Sequence, residues 1–292
     1  MKPGNNTINC PACLRTDCDY WGNKNGFELY KSKNCGLIFV WPKPNDTTHI
    51  YSRDYFSGAT KGFGYTNYDQ DKEPMRKVFL RYLKEIEKYL PNKGRLLDVG
   101  AASGYFMNLA STAGWQTSGV EVSEYAVALA KEKGLSLTRG TLENMSPAVG
   151  QFQVITLWDV LEHVPNPEED IKKINKLLEI GGVVAINTPD SSSMGATLLG
   201  PRWHLTLSPE HLFLFNKKSL KIILERNGFE VLTVKKIGKI FSLPYIFTFG
   251  HGWTGARIFK WLGEFSSKGF LGKIGIPINL RDNIFVIARK IQ

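Results

Sequence analysis

After residue 35 the sequence contains no cysteine, so no disulfide framework can run through the body of the chain. Long apolar runs are scarce too. The N-terminal decapeptide MKPGNNTINC has no apolar stretch behind its basic residue, which reads as a chain without a secretory signal and with a cytoplasmic location. The longest uncharged stretch, residues 240–256, is broken by Pro244, Gly250, Gly252 and Gly255. It is too short to cross a bilayer core of about 30 Å, although it leaves contact with a membrane surface open. Internal repeats are missing, and so is the Gly-Lys-Ser/Thr of a phosphate-binding P-loop.

What is present is a 292-residue chain with 42% hydrophobic and 22% charged residues, which excludes a disordered or collagen-like protein. At this size roughly 75% of the surface of the unfolded chain is buried on folding, enough for one large core and a small satellite domain. Lys and Arg outnumber Asp and Glu by 37 to 27, but the excess is local. Residues 214–292 hold 14 basic and 4 acidic side chains, whereas residues 1–213 hold 23 of each. The basicity therefore belongs to one segment and asks for phosphate or an anionic surface near it.

All four cysteines, Cys10, Cys13, Cys18 and Cys35, fall in the first 35 residues. Cys10-Pro-Ala-Cys13 is a knuckle that can aim two thiolates at one tetrahedral ion, and Cys35-Gly36 opens a second. Without a secretory signal, a structural zinc is favoured over a disulfide. The second knuckle reads Ser32-Lys-Asn-Cys35, with serine where a regular ribbon has cysteine, so Cys18 is the candidate fourth thiolate. A ribbon with free thiols and no metal is the alternative.

A loop-rich stretch with Tyr51, Tyr55, Phe56, Tyr65 and Tyr68 follows. Met75, Val78, Phe79, Tyr82, Leu83, Ile86, Tyr89 and Leu90 then recur at helical spacing between Pro74 and Pro91. From residue 95 to 186 short apolar runs alternate with helical ones, the pattern of a parallel sheet covered by helices. A helix over 219–227 closed by Gly228, a strand over 229–236 and a final strand over 282–290 complete the chain. Residues 240–280 form an aromatic, glycine-rich insertion ahead of that strand.

The sharpest motif is LLDVGAASGYF, a strand that ends at Asp98 and runs through Gly100 and Gly104 into a helix. A glycine loop at the carboxyl end of a first strand binds nucleotide-like ligands. The dinucleotide fingerprint would need glycines at 100, 102 and 105, where the chain has Gly100, Ala102 and Tyr105. The next strand ends GVEVS, placing Glu121 where an acid can accept both hydroxyl hydrogens of a ribose.

These motifs resemble the class I S-adenosylmethionine-dependent methyltransferases, whose glycine motif follows an acid and whose second strand ends in one. The resemblance covers residues 95 to about 234. It implies an α/β fold with a Rossmann-like sheet, parallel except for an antiparallel last strand. The domains it implies are a zinc-ribbon-like domain over 1–45, a linker and amphipathic helix over 46–90, and a methyltransferase domain over 91–292. Acceptor-side segments would lie at 190–215 and 240–280. It further implies S-adenosyl-L-methionine as cofactor, held by Asp98, Gly100, Ala102, Gly104 and Tyr105 toward the methionine end. Glu121 with Val122 would hold the ribose, Leu142 and Glu143 the adenine, and Trp158 and Asp159 the pocket wall. Ala102 departs from the family glycine.

The segment TPDSSSMGATLLGPRWHLTLSPEHLFLF resembles methyltransferases of polysaccharide and deoxysugar biosynthesis, some of which carry a cysteine-rich zinc domain, a tyrosine pair and a Glu-His acid–base pair. By that resemblance Glu210 and His211 are the acid–base pair, Tyr65 and Tyr68 the tyrosine pair, and His204 and His163 further catalytic candidates. The implied acceptor is a small molecule or glycan that can carry phosphate. Peripheral contact at the inner membrane surface stays open, and no stable nucleic-acid partner is expected. An RNA methyltransferase is the alternative, disfavoured because Leu157-Trp-Asp-Val160 lacks the Asn/Asp-Pro-Pro-aromatic tetrapeptide and no core cysteine could attack a pyrimidine. A non-catalytic cofactor-binding partner is the other alternative, disfavoured by Glu121.

Overall fold

The structure, a computed structural model, describes residues 8–44, 72–145, 151–267 and 275–292. Three strands open it, β1 (Cys18–Lys24), β2 (Phe27–Ser32) and β3 (Ile38–Val40). Asn25 and Gly26, both at positive φ, make the two-residue turn that joins β1 to β2, the geometry that matches the twist of a hairpin. One tight turn over Glu73–Met75 leads into helix α1 (Arg76–Glu87), which buries the expected apolar stripe from Val78 to Ile86.

Strands and helices then alternate: β4 (Arg95–Val99), α2 (Tyr105–Thr112), β5 (Gln116–Glu121), α3 (Glu124–Glu132), β6 (Leu137–Arg139), β7 (Phe152–Trp158), α4 (Pro167–Leu177) and β8 (Leu178–Pro189). Ser123 caps α3 through the amide of Ala126, and Pro167 with Glu168, Glu169 and Asp170 favours the first turn of α4. Beyond lie α5 (Met194–Leu199), β9 (Phe213–Leu214), α6 (Lys217–Arg226), β10 (Phe229–Lys235), β11 (Lys239–Ser242), α7 (Leu243–Thr254), α8 (Arg257–Ser266), β12 (Gly275–Ile278) and β13 (Asn283–Lys290).

The main sheet has the order β10-β13-β8-β7-β4-β5-β6. Parallel pairing joins β4 to β5, β5 to β6 and β7 to β8, while β13 runs antiparallel to both β8 and β10. Strands buried on both faces read as nearly continuous apolar runs, as in Val183, Val184, Ala185 and Ile186. β8 is longer than its apolar core suggests. It starts directly after α4, and the register shift between Phe152 and Val154 absorbs the extra residues.

The chain divides into two compact units. The first comprises Met1–Thr47, Met145–Ile237 and Leu280–Gln292. In it the N-terminal hairpin is completed by β9, giving a small antiparallel sheet of order β1-β2-β3-β9. Asn216 donates to the carbonyl of Cys35 at 3.1 Å, Arg226 to that of Ala12 at 2.6 Å, and Lys43 to Asn166 Oδ1 at 2.8 Å. The cysteine-bearing segment is thus stitched to α6 and to the loop before α4.

The second unit comprises Thr48–Asn144 and Gly238–Asn279. Phe79 of α1 packs on Phe106 of α2, with ring centroids 5.4 Å apart. Among the described residues of the glycine-rich insertion, β11 and β12 pair antiparallel, with α7 and α8 lying between them in the chain. The amide of Ile240 lies 3.3 Å from Met75 Sδ, so the base of the insertion rests on the turn ahead of α1. Among the described residues no helix is long and apolar enough to cross a membrane.

Candidate active site

In the second unit β4 delivers the chain into a turn where Gly100, Ala102 and Gly104 all have positive φ, at 67°, 48° and 77°. Two of these are glycines, which enter that region without steric cost. Ala102 is not, and a non-glycine held there costs on the order of 1–3 kcal/mol that its surroundings must offset. Its amide donates to Glu121 Oε2 at 2.9 Å, and its methyl is buried against Ala126 and Tyr125. A Cβ on Gly104 would run into Leu135 Cδ1, so that glycine answers to packing as well as conformation.

Glu121 ends β5 almost fully buried. Its Oε2 accepts from the amide of Ala102 and its Oε1 from that of Ser123, both at 2.9 Å. Burial pushes this carboxyl above the usual carboxylate range, and the amides of Ser123, Ala102 and Val122 pull partly against that. Two bonds occupy half of what a carboxylate can accept. The rest of its capacity suits a pair of hydroxyl donors, so the site fits a ribose. Asp98 is buried at the end of β4. Tyr105 opens α2 with its ring 6.1 Å from that of Phe79, and its hydroxyl donates to Glu73 Oε2 at 2.6 Å. The amide of Gly140 bonds the Glu121 carbonyl at 2.8 Å, which anchors the Leu142–Asn144 turn near Glu121; Leu142 is buried there and Glu143 exposed.

In the first unit β7 ends at Trp158, whose ring stacks on Phe285 with centroids 6.1 Å apart. Asp159 follows at φ 56°, tied to Asn187 of β8 through its own amide and through Oδ1 at 2.7 Å. The turn after it carries Glu162 and His163. Glu162 has no solvent-exposed surface; its Oε2 accepts from Thr188 at 2.8 Å, and its carbonyl accepts the amides of Leu212 and Phe213. Sequence reasoning missed this residue, because its importance comes from burial between segments 26 and 50 positions away.

His163 and His211 meet edge to face with ring centroids 4.6 Å apart. His163 Nδ1 lies 2.9 Å from the Glu210 carbonyl and His211 Nδ1 2.7 Å from that of Leu205. A carbonyl can only accept, so in both neutral rings Nδ1 carries the proton and Nε2 is the basic nitrogen. His163 Nε2 is 4.0 Å from Glu162 Oε1. Burial raises the Glu210 carboxyl above its ordinary value. His204 belongs to a different pair: its Nε2 is 3.2 Å from Asp282 Oδ2. Burial raises the Asp282 carboxyl, but the hydrogen bond and charge of His204 and the side-chain Nδ2 of Asn283, which donates to Oδ1, outweigh it and leave the group below its usual range. Tyr65 and Tyr68 lie outside the described residues.

The cysteines make a third constellation, also in the first unit. The sulfurs of Cys10, Cys13 and Cys35 lie within 4.8 Å of one another, with Cys10 and Cys35 both buried and 3.5 Å apart. The Cys10 thiol donating to Cys35 holds Cys35 down at about 5 against the effect of burial, helped by Ser32, and it pushes Cys10 up. Ser32 Oγ sits 3.5 Å from Cys13 Sγ and accepts the amide of Cys35, so serine stands at the fourth corner of the cluster. Cys18 is opposite Ser32 in the hairpin register and outside the three-sulfur group; burial and the neighbouring charges of Cys13 and Cys35 raise it to about 11. Three converging sulfurs, with Cys35 held below the usual thiol range by its neighbour, are a donor set suited to zinc.

A seven-stranded, helix-covered sheet with a glycine turn after its β4 and a buried acid ending β5 defines the class I methyltransferase fold. A putative methyltransferase from Bacillus halodurans shares it with a TM-score of 0.54 and 17% identity, covering 74% of this chain and all of that one. The YcgJ protein from Bacillus subtilis does so with a TM-score of 0.52 and 16% identity over 72% and 98% of the two chains. Residues 68–234, more than half of the chain, match the family described as Methyltransferase domain, and the chain belongs to that family. Its S-adenosylmethionine-dependent methyltransferase domain also resembles the ubiquinone biosynthesis O-methyltransferases of Pseudomonas aeruginosa (strain LESB58), 28% identical over 132 residues, and Coxiella burnetii (strain Dugway 5J108-111), 28% identical over 137. Those matches take in 42% and 44% of this chain and 57% and 58% of the relatives, so the chain spans little more than half their length.

Proposed function

We propose that this protein transfers a methyl group from S-adenosylmethionine to a hydroxyl-bearing small molecule or glycan, with a sugar, nucleotide-sugar or lipid-linked saccharide as the acceptor class. The observation that carries the acceptor chemistry is the His163–His211 pair, with both basic nitrogens defined by backbone carbonyls and a buried glutamate at its side. The likeness to O-methyltransferases supports oxygen as the atom methylated. The likeness of residues 190–215 to sugar-pathway enzymes supports the acceptor class.

Bound S-adenosylmethionine supplies an already electrophilic methyl group, so the chain's tasks are to hold it, align the acceptor and take up one proton. Glu121 would hold the ribose hydroxyls and the Gly100–Gly104 turn the methionine end, with Leu142 beside the adenine. His211 Nε2 takes the acceptor's proton, and Nδ1–H on the Leu205 carbonyl keeps the ring oriented while it does so. Glu162 then stabilises the resulting positive charge across the histidine pair, and Glu210 supports His163 through its carbonyl. A positioned base of this kind contributes about 10²–10⁴-fold in rate.

Incubation with methyl-labelled cofactor and separate pools of nucleotide-sugars, lipid-linked saccharides and simple phenols tests the reading. Label entering a saccharide pool supports it. Label entering only phenols, or none of the three, overturns the acceptor class. Zinc held by Cys10, Cys13 and Cys35 is part of the same proposal, with Ser32 or Cys18 completing the set. About one equivalent of zinc in the purified protein, lost on Cys35→Ser, is the expected result, and less than a tenth of an equivalent would overturn it.

A further inference from the structure

Helix α8 presents an apolar stripe to solvent that nothing in the methyl-transfer chemistry uses. Ile258, Trp261 and Phe265, spaced three and four residues apart, fall on one face and remain 57%, 58% and 57% exposed. Trp261 and Phe265 stack on each other with centroids 5.6 Å apart, so the two rings form one continuous slab. The opposite face is already spent: Phe259 and Leu262 are half-buried, Gly263 and Ser266 buried. That face packs on α7, where Gly250 leaves room for the Phe259 ring and Gly263 for Phe247. The exposed stripe is therefore not a core face turned outward by mistake, because the same helix buries a different one.

Beside the stripe, on the remaining exposed arc, stand Arg257, Lys260 and Glu264. The wider segment from 239 to 279 carries five basic residues and one acidic one, Glu264, inside the C-terminal 79 residues that hold the whole net charge of +10. An apolar face of tryptophan, phenylalanine and isoleucine with a basic margin is the composition of a helix that lies in the headgroup region of a bilayer. A neutral protein partner would answer the rings but not the charge. An anionic bilayer answers both, because basic side chains near its surface are drawn to the lipid charge.

We propose that α8 is a membrane-surface anchor, docking Ile258, Trp261 and Phe265 into an anionic phospholipid bilayer with Arg257 and Lys260 among the headgroups. The inference does not depend on which acceptor is methylated. Apolar burial and charge are both modest here, so binding is reversible and falls with salt.

The test is flotation of the full chain with vesicles of phosphatidylcholine alone and with about a third phosphatidylglycerol. The expected result is recovery with the anionic vesicles, weakened by salt and reduced about tenfold by Trp261→Glu/Phe265→Glu. Arg257→Glu/Lys260→Glu keeps the rings and should lose the preference for anionic lipid. Unchanged S-adenosylhomocysteine binding in both variants shows that they fold. Three results would overturn the proposal: no flotation of the wild-type chain, flotation indifferent to both variants, or self-association that the ring variant abolishes while vesicles are ignored.

Discussion

The two units solve the problem of binding in different materials. Around Glu121 the candidate site groups are set by the backbone: alternate residues Gly100, Ala102 and Gly104 at positive φ, and the amides of Ala102 and Ser123 bonded to a buried carboxylate, all within 24 residues of one another. Around His211 they are side chains on separate segments, β7's following turn and the long connection between β8 and β9, held by carbonyls of Leu205 and Glu210 and by Thr188. A backbone-built site is specified by local sequence and tolerates little change of conformation. A side-chain-built site is specified by tertiary packing and can be retuned one residue at a time.

Breaking each constellation separately should give opposite signatures. His211→Ala is expected to cost about 10²–10⁴-fold in turnover while leaving cofactor affinity nearly unchanged, measured by product formation and calorimetry on the same preparation. Retained turnover would remove His211 from the mechanism. Glu121→Ala should do the reverse, weakening S-adenosylhomocysteine binding by about a hundredfold, since two charge-assisted hydrogen bonds are lost. Because burial raises this carboxyl's folded-state pKa, the stability it contributes is full below its unfolded pKa and is lost as pH rises through the folded one. The melting temperature of the ligand-free wild type relative to Glu121→Ala should therefore fall from acid toward neutral pH.

Glu162→Gln probes the histidine pair more gently. About a tenfold loss of turnover is expected, with the acidic limb of the pH–rate profile moved to lower pH, because a neighbouring carboxylate favours the imidazolium and its removal disfavours it. A uniform loss with no shift of the limb would mean that Glu162 is structural only. The glycine turn is read in stability rather than turnover: Gly104→Ala should destabilise by more than about 2 kcal/mol from clash and strain together. Ala102→Gly should change stability by less than about 1 kcal/mol, since relief of strain offsets the buried methyl it gives up. Urea unfolding reads both.

The same contrast explains what could be read without coordinates. Strand, turn and helix around Asp98–Tyr105 and the acid at Glu121 were legible because a tight turn writes its glycines and its partner acid into fixed spacing. The alternation of the sheet was legible from apolar periodicity, and the antiparallel β13 only from the resemblance that the glycine and acid motifs carry. His163 and His211 could each be named, but not their contact, which depends on how the connection after β8 folds back. His204 looked equivalent to them and instead faces Asp282. Glu162 carried no signal at all, since a glutamate before a histidine reads as a solvated surface pair until burial is known. The helices of the insertion carried no long periodic signal that could be read, because its glycines interrupt any extended apolar stripe.

The two-residue strand β9 has a practical consequence for anyone who trims this protein. Phe213 and Leu214, both buried, pair with Phe39 and Ile38 of the hairpin, and they follow His211 by only two and three positions. A shortened chain lacking residues 1–44, which looks like removal of a dispensable appendage, would strip β9 of its neighbour and bare two large apolar side chains next to the histidines. An unpaired strand edge of that kind recruits other chains. Poor solubility and silent turnover would then arrive together, and neither would say anything about the methyl-transfer domain itself.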